Sequence, residues 1–414
     1  MAAGSVSDRL RFSVLTSAVV VGLILRLGFS LGYWVDKPLT RDETEYLSLA
    51  RSLTAGDGFV YDEVVRAGPL DPFGRAPGYP VFLALVGGGL AVPTAVPTSV
   101  KVGQSLVGAL GVLLAGIIAG RLGGARTGHA AAWLAAVYPS LVWVPAYALS
   151  EAVFWPLGLG AAWLFDRAAD HDGRSATWRF AVCGILAGLA VLVRPGVILF
   201  APAAVAYLAW RRRPQAAVAF AVGAILVVAP WTARNYAHHG RFVLVASEGG
   251  ITFWTGNHPA AIGDGDMAAN PAIKSDSLAL RARYPELTEE EMEPVYYREA
   301  LGWIRSHPGH WLALEVRKAF YLVVPIGPSY TLHSTRYVLA SVVPYVLILP
   351  AALIGAWLAG ERRRRVRGLW LLLFSSVLTA LIFFPQERFR IPVIDPVLVI
   401  CAAVTAAHLR RRIR

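Results

Sequence analysis

Residues 12–46 read FSVLTSAVVVGLILRLGFSLGYW and then VDKPLTRDETEY, and the boundary between these two parts decides the fold. The first part has one charged residue, Arg26, in 23 residues, and about 20 apolar residues cross a bilayer as a helix. A helix satisfies its backbone amides internally, as hydrocarbon demands. We therefore predict a membrane-spanning helix from about Phe12 to Trp34, with Arg26 snorkelling toward the interface. The second part is polar and acidic, so the chain leaves the membrane there.

Apolar blocks of similar length recur along all 414 residues, of which 56% are hydrophobic and 16% are charged. A soluble domain carries about 25% charged residues, so this composition excludes an ordinary soluble enzyme. Further spans are predicted at about 101–120, 129–147, 150–168, 180–196, 197–210, 216–232, 337–358, 368–384 and 391–409. The pattern predicts a single all-α polytopic membrane domain over residues 1–414, with about ten transmembrane helices and both termini in the cytoplasm.

The net charge of +12 comes from arginines that cluster where apolar blocks end. These clusters are Arg9 and Arg11, Arg121 and Arg126, Arg211–Arg213, Arg362–Arg365 with Arg367, and Arg410–Arg412. Basic residues at the ends of spans are the signature of cytoplasmic loops. The positive charge therefore indicates orientation in a membrane and argues against a nucleic-acid partner.

The segment Tyr79–Pro93 is apolar and glycine-rich, but its length of about 15 residues is short for a span. If it crossed the membrane, Arg121 and Arg126 would lie outside, against the charge rule. We therefore predict a surface-lying helix here, within a first outer loop of residues 35–100 that carries juxtamembrane helices. A second large outer loop is predicted over residues 233–336.

The two outer segments hold most of the acidic residues: eight within 35–77 and ten within 234–312, of 27 in the chain. A transporter keeps its ionisable groups near the membrane midplane. Because these groups gather on one face instead, the pattern favours an enzyme at the outer interface. Cys183 and Cys401 lie within apolar blocks and form neither a disulfide framework nor a Cys/His metal motif.

Two local features at the outer surface bear side chains suited to chemistry. Asp42, in the segment 41–46 (RDETEY), precedes a helical pattern. It either caps that helix or acts as a general base on an acceptor hydroxyl. Arg75, in the segment 73–80 (FGRAPGYP), either clamps a phosphate with its planar fork of donors or meets lipid headgroups.

Other charged residues lie at the outer ends of predicted spans. Glu151 opens one span, where the helix dipole also favours a carboxylate, and Arg194 ends another. Arg388 and Arg390 precede the last span, against the positive-inside trend. An anionic ligand explains these two arginines, and so does pairing with Glu387 or with anionic lipid.

Together these pieces resemble the bacterial protein O-mannosyltransferase and aminoarabinose lipid A transferase group, within the C-type glycosyltransferase fold. The matching elements, in order along nearly the whole chain, are Asp42-Glu43 with Tyr46, residues 74–80 (GRAPGYP), Ser150-Glu151, Arg194-Pro195, residues 230–236 (PWTARNY), Gly249-Gly250, residues 256–259 (GNHP) and residues 387–392 (ERFRIP). The resemblance implies surface-lying helices in the first outer loop, an active site between the two outer loops, an undecaprenyl- or decaprenyl-phosphate sugar donor, and inversion at the anomeric carbon.

By the same resemblance, Asp42 corresponds to the catalytic acid/base carboxylate, Glu43 to its neighbour, and Arg75 to the cation beside the donor phosphate. Glu151 corresponds to an outer acidic position that helps to place a metal or the acceptor. Gly74 stands where the aminoarabinose transferases have an acidic metal ligand, which leaves a divalent metal open. The other residues predicted to bind substrate are Tyr46, Tyr79, Arg194, Asn257, His258, Arg388 and Arg390.

The resulting hypothesis is a membrane enzyme that transfers a sugar from a polyprenyl-phosphate donor to an acceptor hydroxyl on the extracytoplasmic face of the plasma membrane. Positive charge from Arg75 and Arg388, with Arg194 or His258, would stabilise the phosphate leaving group. The acceptor is open between a protein, a glycolipid and a polysaccharide, and Asn257 and His258 alternatively shape a turn. Other hypotheses are a transporter or flippase of an envelope pathway, and a polysaccharide ligase or polymerase acting on a lipid pyrophosphate.

Overall fold

The computed structural model describes residues 6–66, 74–90, 92–265, 267–327 and 334–412, in which regular structure is helical throughout. Phe73 of the first loop and residues 328–333 of the second lie outside these ranges. The α-helices are α1 (Val6–Gly28), α2 (Arg41–Ala55), α3 (Glu63–Arg66), α4 (Gly78–Leu85), α5 (Thr98–Gly123), α6 (Ala125–Val137), α7 (Pro139–Trp143), α8 (Glu151–Ala169), α9 (Gly173–Val193), α10 (Phe200–Trp210), α11 (Pro214–His239), α12 (Gly249–Gly256), α13 (Pro271–Ala282), α14 (Glu289–Ser306), α15 (Pro308–Val323), α16 (Thr335–Ala359), α17 (Arg367–Ile382), α18 (Glu387–Arg390) and α19 (Ile394–Arg412).

Within the described ranges, five helical segments are long and apolar enough to cross a membrane. They are Val14–Tyr33, Thr98–Gly123, Gly173–Val193, Pro214–His239 and Thr335–Arg365. Two shorter apolar segments, Pro195–Trp210 and Arg367–Ile382, accompany them. The prediction of an all-α polytopic membrane protein is confirmed, and the number of ten spans stays a prediction.

The predicted span at 129–147 is not one continuous helix, because the chain breaks there into shorter pieces. Helix α6 ends at Val137, α7 runs only from Pro139 to Trp143, and a 3₁₀ turn covers Val144–Ala146. Proline has no N–H to donate and disfavours helical geometry in the residue before it. Tyr138 accordingly adopts an extended conformation and ends α6 inside the protein.

Arg26 supplies hydrogen-bond donors for this interior helix end. Its guanidinium donates from Nη2 to the carbonyl of Ala135 at 3.2 Å and from Nη1 to that of Ala136 at 3.5 Å. The side chain is fully buried, and a Cβ at Gly108 would lie 2.9 Å from its Nε atom. The expectation that Arg26 snorkels outward was wrong, because the last carbonyls of a helix that ends in the interior need donors.

We expect Arg26→Met to lower the free energy of unfolding by roughly 2–4 kcal/mol, since it leaves two buried carbonyls without partners. Thermal unfolding in detergent, followed by tryptophan fluorescence, measures the loss. Arg362→Met, at an exposed position, is the matched control and should unfold like the wild type. Equal stability of the two variants would contradict the capping role.

Glycines bring the apolar helices into backbone contact. A Cβ at Gly184 of α9 would lie 2.0 Å from the carbonyl oxygen of Phe220 in α11, and one at Gly223 would lie 2.2 Å from that of Ala181. Small residues at helix interfaces allow such approach in membranes, where packing and not water exclusion drives association. This contact fixes α11, whose C-terminal end organises the site.

The C-terminal end of α11 holds an irregular segment, residues 243–247. Trp231 donates through Nε1 to the carbonyl of Val245 at 2.8 Å, and Thr232 donates through Oγ1 to that of Leu244 at 2.8 Å. Asn235 donates through Nδ2 to the carbonyl of Val243 at 3.1 Å. The residues 230–236 (PWTARNY) therefore clamp a piece of the second outer loop.

The clamped segment joins the two loops that the sequence predicts to be outer, at a point beside Arg75. The Ser247 N–H donates to the carbonyl of Gly74 at 2.9 Å, and the Gly74 N–H donates to Ser247 Oγ at 3.1 Å. A Cβ at position 74 would lie 2.2 Å from Ser247 Oγ, so this contact requires glycine. Helix α4 covers the first part of the segment Tyr79–Pro93, and its eight residues are too few to cross a bilayer; its position along the membrane surface stays a prediction.

Candidate active site

Helix α2 begins with a capping box that leaves Asp42 free for other contacts. Thr40 is the N-cap: its Oγ1 accepts from the Glu43 N–H at 3.4 Å, and Glu43 Oε2 accepts from the Thr40 N–H at 2.8 Å. Glu43 Oε1 also accepts from the Ala148 N–H at 3.0 Å. The alternative in which Asp42 caps the helix is therefore wrong, and buried Glu43 occupies a structural position beside it.

Asp42 lies between two arginines that come from distant parts of the chain. Arg75 donates from Nη2 to Asp42 Oδ1 at 2.7 Å, and Arg388 donates from Nη1 to Oδ2 at 2.8 Å. Burial would raise the pKa of Asp42, but the two guanidinium groups outweigh it and hold this pKa well below its usual range. Asp42 is therefore ionised at neutral pH, and 24% of its side chain is exposed.

Arg75 is the centre of a wider acidic cluster. It also donates to buried Glu45 at 2.6 Å and to Glu248 at 2.8 Å, and its guanidinium lies 5.1 Å from the Tyr46 ring centroid. Burial would lower the pKa of Arg75, but Glu248, Asp42 and Glu45 raise it well above its usual value. The pKa of Glu248 is raised by burial despite the contact with Arg75.

Glu151 and Arg194 extend the cluster of acidic and basic side chains around Asp42. Buried Glu151 Oε1 lies 3.0 Å from Arg388 Nε and 3.2 Å from Arg194 Nη1. Arg194 also donates to Ser150 Oγ at 3.0 Å. Asp42 and Glu151 thus share Arg388, and the cluster joins both outer loops to the start of α8.

The residues around Glu151 do not fit a divalent metal. Its carboxylate faces the guanidinium groups of Arg388 and Arg194, whereas hard cations take several oxygen ligands. Across the ranges that the structure covers, no group of three or more His, Cys, Asp or Glu side chains is arranged to hold a metal ion. We derive no step through a metal.

A cavity of about 940 Å³ opens beside this cluster. Arg75, Arg194, Glu248 and Arg388 line its charged end, and Asp42 contacts two of them, Arg75 and Arg388. The remaining wall includes apolar and aromatic side chains such as Val324, Leu301, Phe383 and Phe384. A concave, mostly apolar space with a few convergent charged groups is typical of ligand sites.

Of the two tyrosines predicted to bind substrate, one lines the cavity and the other does not. Tyr46 lines the cavity next to Arg75. Tyr79 is fully buried, donates its hydroxyl to Gln104 Oε1 at 2.7 Å, and packs edge-on against Tyr46 with ring centroids 4.9 Å apart. Tyr79 therefore supports Tyr46 from behind and does not reach the cavity.

Asn257 and His258 lie away from the cavity wall. Asn257 Oδ1 accepts from Trp311 Nε1 and Lys318 Nζ, each at 3.1 Å, while its Nδ2 donates to the carbonyl of Ile382 at 3.1 Å. His258 Nδ1 accepts from the Ala260 N–H. The structure thus favours the alternative in which these two residues shape the chain, here where α12, α15 and α17 meet.

Arg390 lies at the cavity wall, but its guanidinium contacts residues outside the cavity lining. It donates to buried Asp395 at 2.9 Å and to Ser341 Oγ at 3.2 Å, and it lies 3.9 Å from the Tyr345 ring centroid. These contacts fix the short helix α18, which carries Arg388. Arg390 therefore positions its neighbour Arg388.

Sequence reasoning missed three acidic residues of the site. Glu45 follows Asp42 by three residues and so shares its helix face. Glu248 precedes the Gly249-Gly250 pair, and Glu293 lines the cavity from α14. The helical spacing after Asp42 was the available signal for Glu45, and the position next to Gly249-Gly250 was the signal for Glu248.

Residues 75–233 match the family model described as dolichyl-phosphate-mannose-protein mannosyltransferase. Among curated proteins, no sequence matches the chain significantly. The archaeal oligosaccharyltransferase AglB from Archaeoglobus fulgidus, in complex with an inhibitory peptide and a dolichol-phosphate, is 15% identical over 99% of this chain and 52% of its own, with a TM-score of 0.56. The same enzyme tethered to an acceptor peptide gives 13% identity over 98% of this chain and 51% of its own, with a TM-score of 0.57.

ArnT from Cupriavidus metallidurans, bound to undecaprenyl phosphate, is 14% identical over 98% of this chain and 79% of its own, with a TM-score of 0.45. The chain spans about half the length of the AglB chains that it matches. The likeness to AglB extends along nearly all of this chain and includes both outer segments. The chain therefore has a C-type glycosyltransferase fold and, over residues 75–233, matches the dolichyl-phosphate-mannose-protein mannosyltransferase family.

Proposed function

We propose that this protein transfers a sugar from a polyprenyl-phosphate donor to an acceptor hydroxyl, with inversion, on the extracytoplasmic face of the plasma membrane. The observation that carries the proposal is Asp42 held between Arg75 and Arg388, two arginines that line the cavity. The match to a mannosyltransferase family over residues 75–233 supports it. So does the fold shared with AglB, whose structure contains a dolichol-phosphate.

The arginines provide the positive charge that a phosphate leaving group needs. When the bond between the anomeric carbon and the phosphate oxygen breaks, the electron pair stays on the phosphate. Fixed donors aimed at that developing charge lower the barrier. Arg388 and Arg194 line the cavity, with 34% and 15% of their side chains exposed, so both can turn their donors toward a phosphate.

Asp42 is the group that takes the acceptor proton. The acceptor oxygen attacks the anomeric carbon from the face opposite the phosphate, and its proton passes to the Asp42 carboxylate. A carboxylate between two arginines is a weak base, but the donor phosphate competes for Arg388. Engagement of Arg388 by phosphate raises the pKa of Asp42 and prepares the base only when the donor is bound.

The apolar part of the cavity suits the prenyl chain. Ile198, Val324 and Phe383 belong to this wall, beside the apolar helix α17. A polyprenyl tail extends along such a surface into lipid, while the phosphate remains at the arginine end. The outer acidic loops and the inner arginine clusters support an extracytoplasmic site.

Membranes from a deletion host that overexpresses the protein provide the test. With radiolabelled polyprenyl-phosphate mannose, they should consume the donor and form a new radiolabelled glycoside together with free polyprenyl phosphate. Membranes without the protein are the control. Movement of intact donor across sealed vesicles without a new glycosidic bond would instead identify a flippase, and selective use of a pyrophosphate donor would identify a ligase or polymerase.

A further inference from the structure

Helix α14 of the second outer loop presents one continuous face to the cavity. Glu293, Tyr297, Leu301 and Arg305 all line it, and residues four apart share a helix face. At 1.5 Å per residue this wall is about 18 Å long. The cavity therefore extends well beyond the arginine cluster and has room for a second substrate.

Two oxygens on this wall border one small space. A Cβ at Gly249 would lie 2.8 Å from the Tyr297 hydroxyl oxygen and 3.0 Å from Glu293 Oε1, so these oxygens are within about 6 Å of each other. Glu293 Oε1 is held there by the Gly250 N–H at 3.3 Å. Because O–H···O bonds are about 2.7–2.8 Å long, a single hydroxyl group can contact both oxygens.

Other aromatic rings lie close to Tyr297 and on the cavity wall. Tyr297 lies 5.3 Å from Phe253 between ring centroids, and Phe253 lies 6.1 Å from Phe383. Tyr297, Phe383 and Phe384 all line the cavity. Aromatic faces that pack against C–H groups, next to a carboxylate that accepts hydrogen bonds, suit a polyhydroxylated ring.

We propose that Glu293 and Tyr297 form a binding subsite for the acceptor and that the acceptor is a saccharide. This inference rests on the proposed function and names the substrate class of the same cavity. Glu293 accepts a hydrogen bond from a second hydroxyl of the acceptor, next to the one that attacks, and Tyr297 donates to a neighbouring sugar oxygen. Both are positioning residues, while the proton of the attacking hydroxyl passes to Asp42.

The charged groups around Glu293 make acceptor binding depend on pH. Burial raises the pKa of Glu293 to about 7; the Gly250 N–H and Arg241 oppose the shift, and Glu290 and Glu248 add to it. The carboxylate accepts hydrogen bonds fully only above that pH. The half-saturating acceptor concentration should therefore fall as the pH rises through about 7, and Glu293→Gln should remove this dependence.

The kinetic test uses full-length protein in proteoliposomes with radiolabelled polyprenyl-phosphate mannose and methyl α-mannoside as the acceptor probe. Glu293→Gln should raise the half-saturating probe concentration about tenfold or more, as expected for a lost hydrogen bond to a charged group. The half-saturating donor concentration should not change. Gly249→Ala should also raise the half-saturating probe concentration, because its Cβ fills the space between Glu293 Oε1 and the Tyr297 hydroxyl oxygen.

Matched controls lie on the same helix, away from the cavity. Glu299→Gln and Gly302→Ala alter exposed positions of α14, and nothing lies within 4 Å of a Cβ at Gly302. Both should behave like the wild type. The assignment would be overturned if Glu293→Gln left the half-saturating probe concentration unchanged, or if it raised the half-saturating concentrations of donor and probe equally.

A measurement that needs no turnover separates this proposal from the proposed function. Carbodiimide labelling of Glu293, read by mass spectrometry, should be slowed by methyl α-mannoside and not by a blocked threonine tripeptide. Protection by the peptide alone, or by neither probe, overturns the saccharide subsite. Failure of the wild type to consume the donor would reject the proposed function, while protection by the mannoside would still support the subsite.

Discussion

An Asp42→Asn protein is expected to fold, to bind the donor, and to lose about 10²- to 10⁴-fold in the rate of sugar transfer, the range that general acid–base catalysis contributes. The amide cannot take the acceptor proton. The fold should persist because Arg75 keeps its contacts with Glu45 and Glu248, and Arg388 keeps Glu151. The rate at saturating donor measures the effect, and size-exclusion chromatography confirms folding.

Two further variants make this result specific to Asp42. Asp57→Asn removes an exposed carboxylate from the same loop and should leave transfer unchanged. Glu43→Gln disturbs a side chain whose two oxygens accept backbone N–H groups, so it should lower thermal stability more than the rate per folded molecule. Wild-type transfer by Asp42→Asn would remove Asp42 from the mechanism.

The sequence predicted the helical architecture and singled out the three residues that meet at the centre of the site. Apolar block length and the placement of arginines report the membrane environment directly, which is why the fold class was confirmed. The unusual position of Arg388 outside the membrane, together with the acidic segment that holds Asp42, indicated an outer anionic site. In the structure, the Asp42 carboxylate accepts from Arg75 at 2.7 Å and from Arg388 at 2.8 Å.

Partners that come from distant segments were beyond the reach of sequence reasoning. Arg26 looked like an interfacial residue because its own segment does not reveal that α6 ends beside it. Asn257 looked like a ligand-binding residue, yet its partners Trp311, Lys318 and Ile382 lie 54 to 125 positions further along. A sequence gives the residue type, whereas the fold decides which groups become the hydrogen-bond partners of its side chain.

Glu293 shows the same limit within a single helix. It follows three other glutamates at 289–291, and composition does not distinguish it from them. Its place on the cavity wall depends on how closely α12 approaches α14. Gly250 permits that approach, since a Cβ there would lie 2.6 Å from the Glu293 carbonyl oxygen.

Arg75→Met is expected to abolish transfer and to destabilise the protein by about 3–5 kcal/mol, the usual cost of removing one partner from a buried ion pair. Only 2% of Glu45 is exposed, and in the variant it would lose the guanidinium that donates to it at 2.6 and 2.8 Å, while its contact with the more exposed Arg41 would remain. Asp42 would lose one of its two cations. Thermal unfolding and donor consumption are measured on the same preparation.

A second substitution separates the structural part of this effect from the functional part. In Arg75→Met with Glu45→Gln, the buried carboxylate is neutralised, so much of the lost stability should return. Transfer should not return, because the donor phosphate still lacks the Arg75 guanidinium and Asp42 still lacks its fixed neighbour. A stable double variant that transfers sugar at the wild-type rate would show that Arg75 serves only to compensate Glu45, and the phosphate-binding role would fail with it. Arg75→Lys should fall between these limits, since a single ammonium cannot present the planar fork that engages Asp42, Glu45 and Glu248 together.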